Sequence, residues 1–501
     1  MHYDRLTTGR LKGEKSNEEI DHLLGSLGIM EERRDTIVGD QFRRGLSEGE
    51  KRRLNLGLMV LGAPDTLFCH EPLGGLDSET SLRVMEFLKG YASHSGRRVI
   101  LTIDQASSFI WTLLDNVILL SKGQLIYEGP RFDMESFFAH NNLPTPKRFN
   151  PIEHYIAAVC EYRNHGNRNA NKLTIDGWAA SFKTWQQEAD RDEGDALAAD
   201  EEVCFPASIQ EVVVKRSAIQ SSLLVNKACI MVELVKRYSF DLWLNPGILW
   251  IRLAMYSILS LFIGLLFYDL GDKTSYMSIQ SRAAILFYSV SFYTLMVLAV
   301  IPFRVYDRAI MAKEVFNGYY HPILHHFAVA IGTLPGVAIL AFFTTTIMVS
   351  MTGLRAPCVF FLNMLLSLFC AESIAQMVSI FVKNYINGIA GLAGIFGLAS
   401  LLQGFMLVPT EFPVWLRWAY NVPFHTYSWR SFMFLEFSGD DITFSGGEFS
   451  SGMDVLRAYD ISEVNTSRDM VIIFCYGLLI HLLSTGILFV KSRYGKKLKD
   501  E

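Results

Sequence analysis

Three short segments in the first 110 residues hold side chains suited to phosphate chemistry. Leu46-Ser47-Glu48-Gly49-Glu50, with Arg44-Gly45 before it and Lys51-Arg52-Arg53 and Leu54–Gly62 behind, is a small-residue loop opening a helix. A helix N-terminus presents free backbone N–H groups and the positive end of the helix dipole, both suited to an anion. Taken alone, Ser-x-Gly before a helix reads first as an N-cap. Next come Leu67-Phe68-Cys69-His70-Glu71-Pro72 and Gly74-Gly75-Leu76-Asp77-Ser78, an apolar strand ending in Glu-Pro followed by a Gly-Leu-Asp turn. Val99–Ile103 followed by Asp104-Gln105-Ala106-Ser107-Ser108 reads as a second strand closing in a polar turn. The order and spacing of the three segments are more specific than any one alone.

The elements that carry them belong to an α/β layer, in which strands such as Val99–Asp104 and Asn116–Leu120 alternate with helical stretches such as Ser81–Ser93. No apolar leader opens the chain, so the first 225 or so residues are expected in the cytosol. Residues 161–222 turn polar and then acidic and read as a linker with some helix. The 50% hydrophobic content and mean hydropathy of +0.22 are concentrated after Asn245, which excludes an ordinary soluble enzyme. Six apolar stretches are expected to span a membrane: Gly247–Tyr268, Ala283–Phe303, His325–Met351, Cys358–Val382, Ile386–Val408 and Met470–Val490. An even number of spans puts both termini on one side. Arg304, Arg308, Lys313, Lys383 and the tail lysines mark that side as cytosolic, whereas Thr410–Asp469 holds nine acids against four arginines and should face outward. That outer segment includes the glycosylation sequon Asn465-Thr466-Ser467. A net charge of −5 gives no case for nucleic acid, and seven cysteines without CxxC spacing suggest neither a disulfide scaffold nor a metal site.

In these motifs the chain resembles the ATP-binding cassette transporters, and in particular the G-subfamily (white-brown complex) half-transporters, whose cassette precedes the membrane domain. Leu46-Ser47-Glu48-Gly49-Glu50 is similar to the family signature loop, Phe68–Pro72 to the end of the Walker B strand with its catalytic Glu, Gly75–Ser78 to the D-loop, and Asp104-Gln105 falls at the switch His-Gln. The likeness continues through Leu125–Pro130 and Phe149-Asn150-Pro151 and covers essentially the whole chain. It implies a partial P-loop ABC nucleotide-binding domain over residues 1–160, a linker over 161–222, and an all-α ABC2-type membrane domain of six helices over 223–501. It further implies ATP and Mg²⁺ as cofactors and Leu46, Ser47, Glu48, Gly49, Glu50, His70, Asp77 and Asp104 at the ATP site, with Glu71 catalytic.

Departures from the family pattern concentrate at the same site. No G-x-x-x-x-G-K-[S/T] occurs, and Met1 aligns inside the cassette, so its upstream part is expected to be absent. His70 stands where an Asp would help hold Mg²⁺, Asp104 replaces the switch His, and Glu48 replaces a Gly lying against the phosphates. The chain's own ATP site is therefore expected to be degenerate and the isolated chain inactive in hydrolysis. It is expected to work as a homo- or heterodimer with a second half-transporter, the heterodimer favoured, or as a pseudo-transporter regulating other half-transporters.

For the membrane domain, the resemblance implies a hydrophobic or lipid cargo and a pathway along spans two and five: Tyr288 and Leu295, then Ser400, Phe405 and Met406. Glu372, an acid deep within a span, marks a function or a buried polar partner, with Ser367 and Ser373 near it in sequence. Asp307, Arg308 and Glu314 are similar to the family's coupling segment, which bears on the cassette, although the residues alone also read as a charged loop obeying the positive-inside rule. Arg252, near the start of span one, is expected to snorkel to the interface. The plasma membrane is the expected location.

Overall fold

The structure, a computed structural model, describes residues 13–29, 31–33, 36–39, 45–61, 64–104, 106–147, 149–159, 174–193, 223–317, 319–439, 444, 449 and 451–497. The chain divides between residues 222 and 223 into two units.

In the first unit Gly13–Ser26 (α1) and Glu48–Leu61 (α2) precede Thr66–His70 (β1). Ser78–Ser95 (α3) carries the chain over to Arg98–Thr102 (β2), which pairs with β1 in parallel, His70 opposite Thr102. α3 starts where Asp77 Oδ1 accepts the Thr80 N–H at 2.6 Å and stops at Gly96, which takes a left-handed φ of 59°. After the short helix Ser108–Leu113 (α4), Asn116–Ser121 (β3) and Gln124–Pro130 (β4) form an antiparallel hairpin. Its two-residue turn, Lys122-Gly123, has φ of 45° and 80°, the primed geometry that matches strand twist.

Arg131–His140 (α5), Pro151–Val159 (α6) and Ile175–Glu193 (α7) then build an aromatic core. Phe138 stacks on Tyr155 at 4.0 Å, and Phe182 meets Phe137 edge-on at 5.6 Å. Composition placed α7 in a linker; the structure packs its Trp178 and Phe182 into the core of this unit. The polar residues of α7 occupy one face, while Ile175, Trp178, Phe182 and Trp185 recur at helical spacing on the other.

The second unit is helical: Leu223–Leu244 (α8), Trp250–Leu266 (α9), Tyr276–Leu295 (α10), Ile301–Phe316 (α11), Pro322–Thr352 (α12), Pro357–Phe381 (α13), Tyr385–Leu402 (α14), Phe424–Phe437 (α15), Gly452–Ala458 (α16) and Thr466–Lys497 (α17). A 3-10 turn, Met296–Val300, joins α10 to α11, so that Tyr276–Phe316 runs as one helical stretch of 41 residues. Among the described residues five helices are long and apolar enough to cross a membrane, where six were expected. The expected first span is the exception: α9 has 17 residues, because Gly247 and Ile248 lie in the turn that precedes it. The fifth ends at Leu402 and not at Val408, since Gly404 turns left-handed (φ 99°) beneath the Tyr420 ring, where a Cβ would lie 2.8 Å from a ring carbon.

α13 is the central helix. It packs on α12, α15 and α17 and keeps Asn363, Ser367, Glu372, Ser373 and Gln376 buried. Each of these polar groups has a job across a helix boundary. Asn363 Nδ2 donates to the Ser428 carbonyl (2.9 Å), Ser367 Oγ to Ser428 Oγ (2.7 Å), and Gln376 Nε2 to the His326 carbonyl (3.1 Å). Ser373 Oγ lies 2.9 Å from His481 Nε2. In an apolar surround such bonds tie helices together at roughly 0.6–2 kcal/mol each. α8 and α12 approach closely through Gly332 and Gly336, where an added Cβ would lie 2.6 Å from Tyr238 Cβ and 2.8 Å from Leu242 Cδ1.

Candidate functional site

The first unit gathers the phosphate-suited segments at the ends of α2, β1 and β2. Ser47 and Glu50 form a capping box: Ser47 Oγ accepts the Glu50 N–H at 3.2 Å, and Glu50 Oε2 accepts the Ser47 N–H at 2.8 Å. Those bonds to Ser47, its N–H first, hold the Glu50 carboxyl below its ordinary range. Gly49 packs against the Leu76 side chain, so the loop opening α2 touches the Gly-Leu-Asp turn. Leu46 is buried, whereas Glu48 is exposed and pairs with Lys51 at 3.0 Å. Asp77 is spent on the α3 cap, and its hydrogen bonds from Thr80 lower its carboxyl pKa.

At the strand ends, the Thr102 hydroxyl accepts the Glu71 N–H at 3.1 Å and lies 2.9 Å from His70 Nδ1. Glu71 has a left-handed φ of 45°, and Arg52 Nη1 donates to its carbonyl at 3.2 Å. Thr102 and Arg52 therefore set the backbone that carries His70 and Glu71, roles invisible before the register of β1 on β2 was known. Asp104 is exposed two residues beyond Thr102, and Gln105 lies outside the described residues.

The second unit builds a different kind of site around Glu372. Arg252 Nη2 lies 2.7 Å from Glu372 Oε1, and Arg304 Nη2 lies 3.4 Å from both Glu372 Oε2 and Thr333 Oγ1. All three charged side chains are at least nine-tenths buried. Ser373, next to Glu372, and Ser367, a little over one helical turn before it, bond elsewhere. The snorkelling expected of Arg252 is overturned: its guanidinium points inward because the Glu372 carboxylate offers a partner within the helix bundle. The triad is incompletely satisfied, since Arg252 Nε, Arg304 Nε and Glu372 Oε1 have no aligned hydrogen bond. It faces a narrow cleft of about 10 Å³, also lined by Leu242, Leu249 and Val337.

The expected coupling residues are drawn inward too. Asp307 accepts from Tyr238 Oη at 2.8 Å and lies 3.1 Å from His325 Nε2. Arg308 donates to the carbonyls of Ile380 (2.9 Å) and Val382 (2.6 Å), closing the C-terminal end of α13. Glu314 is buried and joins Arg237, at 2.8 Å, with the Tyr320 hydroxyl. These charges lock α11 to α8, α12 and α13. Of the expected pathway residues, Leu295 and Met406 are exposed, Ser400 is half-buried, Tyr288 stacks on Phe292 at 5.1 Å, and Phe405 meets Phe287 at 4.8 Å. Phe405 and Met406 sit beyond the end of α14 rather than on it. Asn465 is exposed, its Oδ1 accepting the Arg468 N–H in the first turn of α17 at 3.1 Å.

A helical unit of this kind, with five span-length helices among its described residues, supports an integral membrane protein; residues 231–437 match the ABC-2 type transporter family, and residues 104–176 match a second ABC-2 type transporter family. The chain is 28% identical to ABC transporter G family member 1 of Petunia hybrida over 97% of its own length and 75% of that protein. It is 28% identical to ABC transporter G family member 11 of Arabidopsis thaliana over 82% of its own length, and 26% identical to the Mus musculus broad substrate specificity ATP-binding cassette transporter ABCG2 over 87%. The chain spans 59% of the Arabidopsis protein and 68% of the mouse one. It carries an ABC-2 type membrane domain and is a relative of the ABC transporter G family, akin to that family's half-transporters.

Proposed function

We propose that this chain is a half-transporter subunit that moves lipids, sterols or other hydrophobic molecules across a membrane as a dimer, with ATP and Mg²⁺ held largely by a partner. The reading is carried by the match to G-family members over nearly the whole chain together with the ABC-2 domain. The name of the mouse relative, a transporter of broad substrate specificity, favours a varied cargo over one dedicated ligand. Aromatic and aliphatic side chains at Tyr288, Leu295, Phe405 and Met406 suit such cargo. A heterodimer is favoured because Glu48, His70 and Asp104 each oppose phosphate or Mg²⁺ at this chain's own residues, while Ser47 and Gly49 keep the α2 N-terminus intact for a nucleotide held by a partner. Both termini lie on the cytosolic side, and the plasma membrane is the site of action.

The same three substitutions support a second reading, a non-catalytic pseudo-transporter that scaffolds partner half-transporters. Reconstitution with candidate partners and measurement of lipid-stimulated ATP turnover separates the two. In a working subunit, Ser47→Arg blocks the α2 N-terminus and abolishes the stimulated turnover; turnover indifferent to that change leaves only the scaffold. ATP hydrolysis by the purified chain alone, abolished by Glu71→Gln, would refute the degenerate site.

A further inference from the structure

Two buried histidines meet where α12, α13 and α17 come together, and the groups at either end of the pair fix where its protons sit. His326 Nε2 on α12 lies 3.2 Å from His481 Nδ1 on α17. At one end, Gln376 Nε2 on α13 donates to the His326 carbonyl at 3.1 Å and lies 3.2 Å from His326 Nδ1. The carbonyl can only accept, so it holds the amide nitrogen in that place; His326 Nδ1 then faces a donor and carries no proton of its own. At the other end, Ser373 Oγ donates its one proton to the Phe369 carbonyl at 2.7 Å, so towards His481 Nε2, 2.9 Å away, it can only accept. His481 therefore carries its ring proton on Nε2, and its bare Nδ1 accepts the Nε2–H of His326. Both ends give the same direction of donation, from Gln376 through His326 and His481 to Ser373 and on to the Phe369 carbonyl.

Such a chain has no place for another proton. A proton on His326 Nδ1 would oppose the Gln376 amide, and one on His481 Nδ1 would oppose the His326 N–H. Either breaks a bond between helices, and both rings are more than nine-tenths buried, where a displaced donor finds no water. The charged and titratable groups that act on the pair are Arg304 of α11, on both rings, and His325 of α12, on His326. Two nearby acids are already paired, Glu372 of α13 with Arg252 and Arg304, and Asp307 of α11 with His325.

We propose that His326 and His481 form a proton-sensitive latch, which fastens α17 to α12 and α13 while both rings are neutral and releases it when either ring is protonated. In the unfolded chain each histidine takes up a proton near about pH 6.5, whereas the folded pair excludes it. The latch therefore stabilises the fold fully above that pH and loses its effect as the pH falls below it, where the unfolded chain binds more protons.

The test unfolds the full chain, held in nonionic-detergent micelles, with sodium dodecyl sulfate at a series of pH values from about 7.5 to about 5. For each excluded histidine the ratio of unfolded to folded chain should rise up to about tenfold per pH unit at the acid end. His326→Gln and His481→Gln should each remove one such factor and the double variant two, while His140→Gln, at an exposed ring, should remove none. A second measurement needs no variant and so stands even if these do not fold. In wild type labelled with ¹⁵N-histidine, a coupling across the hydrogen bond should join a protonated Nε2 of one ring to a bare Nδ1 of the other at neutral pH. The proposal is overturned if that pair carries its protons on Nδ1, if either of its rings is already charged at neutral pH, or if the folded His326→Gln and His481→Gln chains keep the wild-type pH dependence.

Discussion

The two units use charge in opposite ways. In the first, Ser47, Glu50 and Asp77 find their partners within three residues and cap helices, and Glu48 pairs one turn along its own helix. In the second, Arg252 and Glu372 are 120 positions apart and Arg282 and Glu436 154 apart, and the contacts are buried. Local pairs fix where elements start. Remote pairs fix which elements touch, and in an apolar surround an ion without its partner has no water to fall back on. The comparison predicts that breaking these remote pairs in the second unit damages the fold, whereas breaking the local pairs in the first damages only a helix end.

Asp469→Ala should have the largest effect. It leaves Arg430, which binds both carboxylate oxygens, facing a fully buried empty site, and losing one partner of a buried pair costs about 3–5 kcal/mol. A thermal melt in detergent that moved no further than the surface variants below would break the contrast. Gly336→Leu should come next, at about 1–3 kcal/mol, because its side chain would collide with Leu242 at the α8–α12 contact. Ser47→Ala removes the capping box and should cost about 1 kcal/mol, read as faster hydrogen exchange confined to the first turn of α2.

Acid provides a finer test. Folding holds Glu50 below its ordinary carboxyl pKa of 4.5, so its contribution is fully present above that value and is lost as the pH falls through the lowered one. The difference in α2 protection between wild type and Glu50→Gln should therefore shrink from about pH 6 to about pH 3. Glu48→Gln, which breaks an exposed pair with Lys51, should change stability by under about 0.5 kcal/mol.

Much of this molecule was legible in order and periodicity. The α2 loop, the β1 and β2 strands with their polar ends, and most of the apolar spans follow from residue type and spacing, because capping and burial are local or repeat along an element. The partners of Glu372 were not legible. Nothing near position 372 points to Arg252 or Arg304, and the two serines beside it were the natural candidates until α13 turned them toward α15 and α17. The signals that were missed were modest ones: Gly332-x-x-x-Gly336 on α12, a pattern that allows close helix approach, and the aromatic recurrence from Ile175 to Trp185 hidden in a polar segment. Composition averages over a helix and so conceals a helix with one apolar face.

The 3-10 turn Met296–Val300, in the middle of the long stretch from Tyr276 to Phe316, has a rotational consequence. A 3-10 turn advances about 120° per residue against about 100° in an α-helix, so five residues overwind the rod by roughly 100°. The face that presents Tyr288 and Leu295 before the turn is therefore out of phase by about a quarter revolution with the face that presents Arg304, Asp307 and Arg308 after it. Relaxing those five residues to α-geometry would swing all three charges away from Glu372, His325 and the end of α13 at once, making the winding of a single turn the setting on which the contacts of Arg304, Asp307 and Arg308 depend.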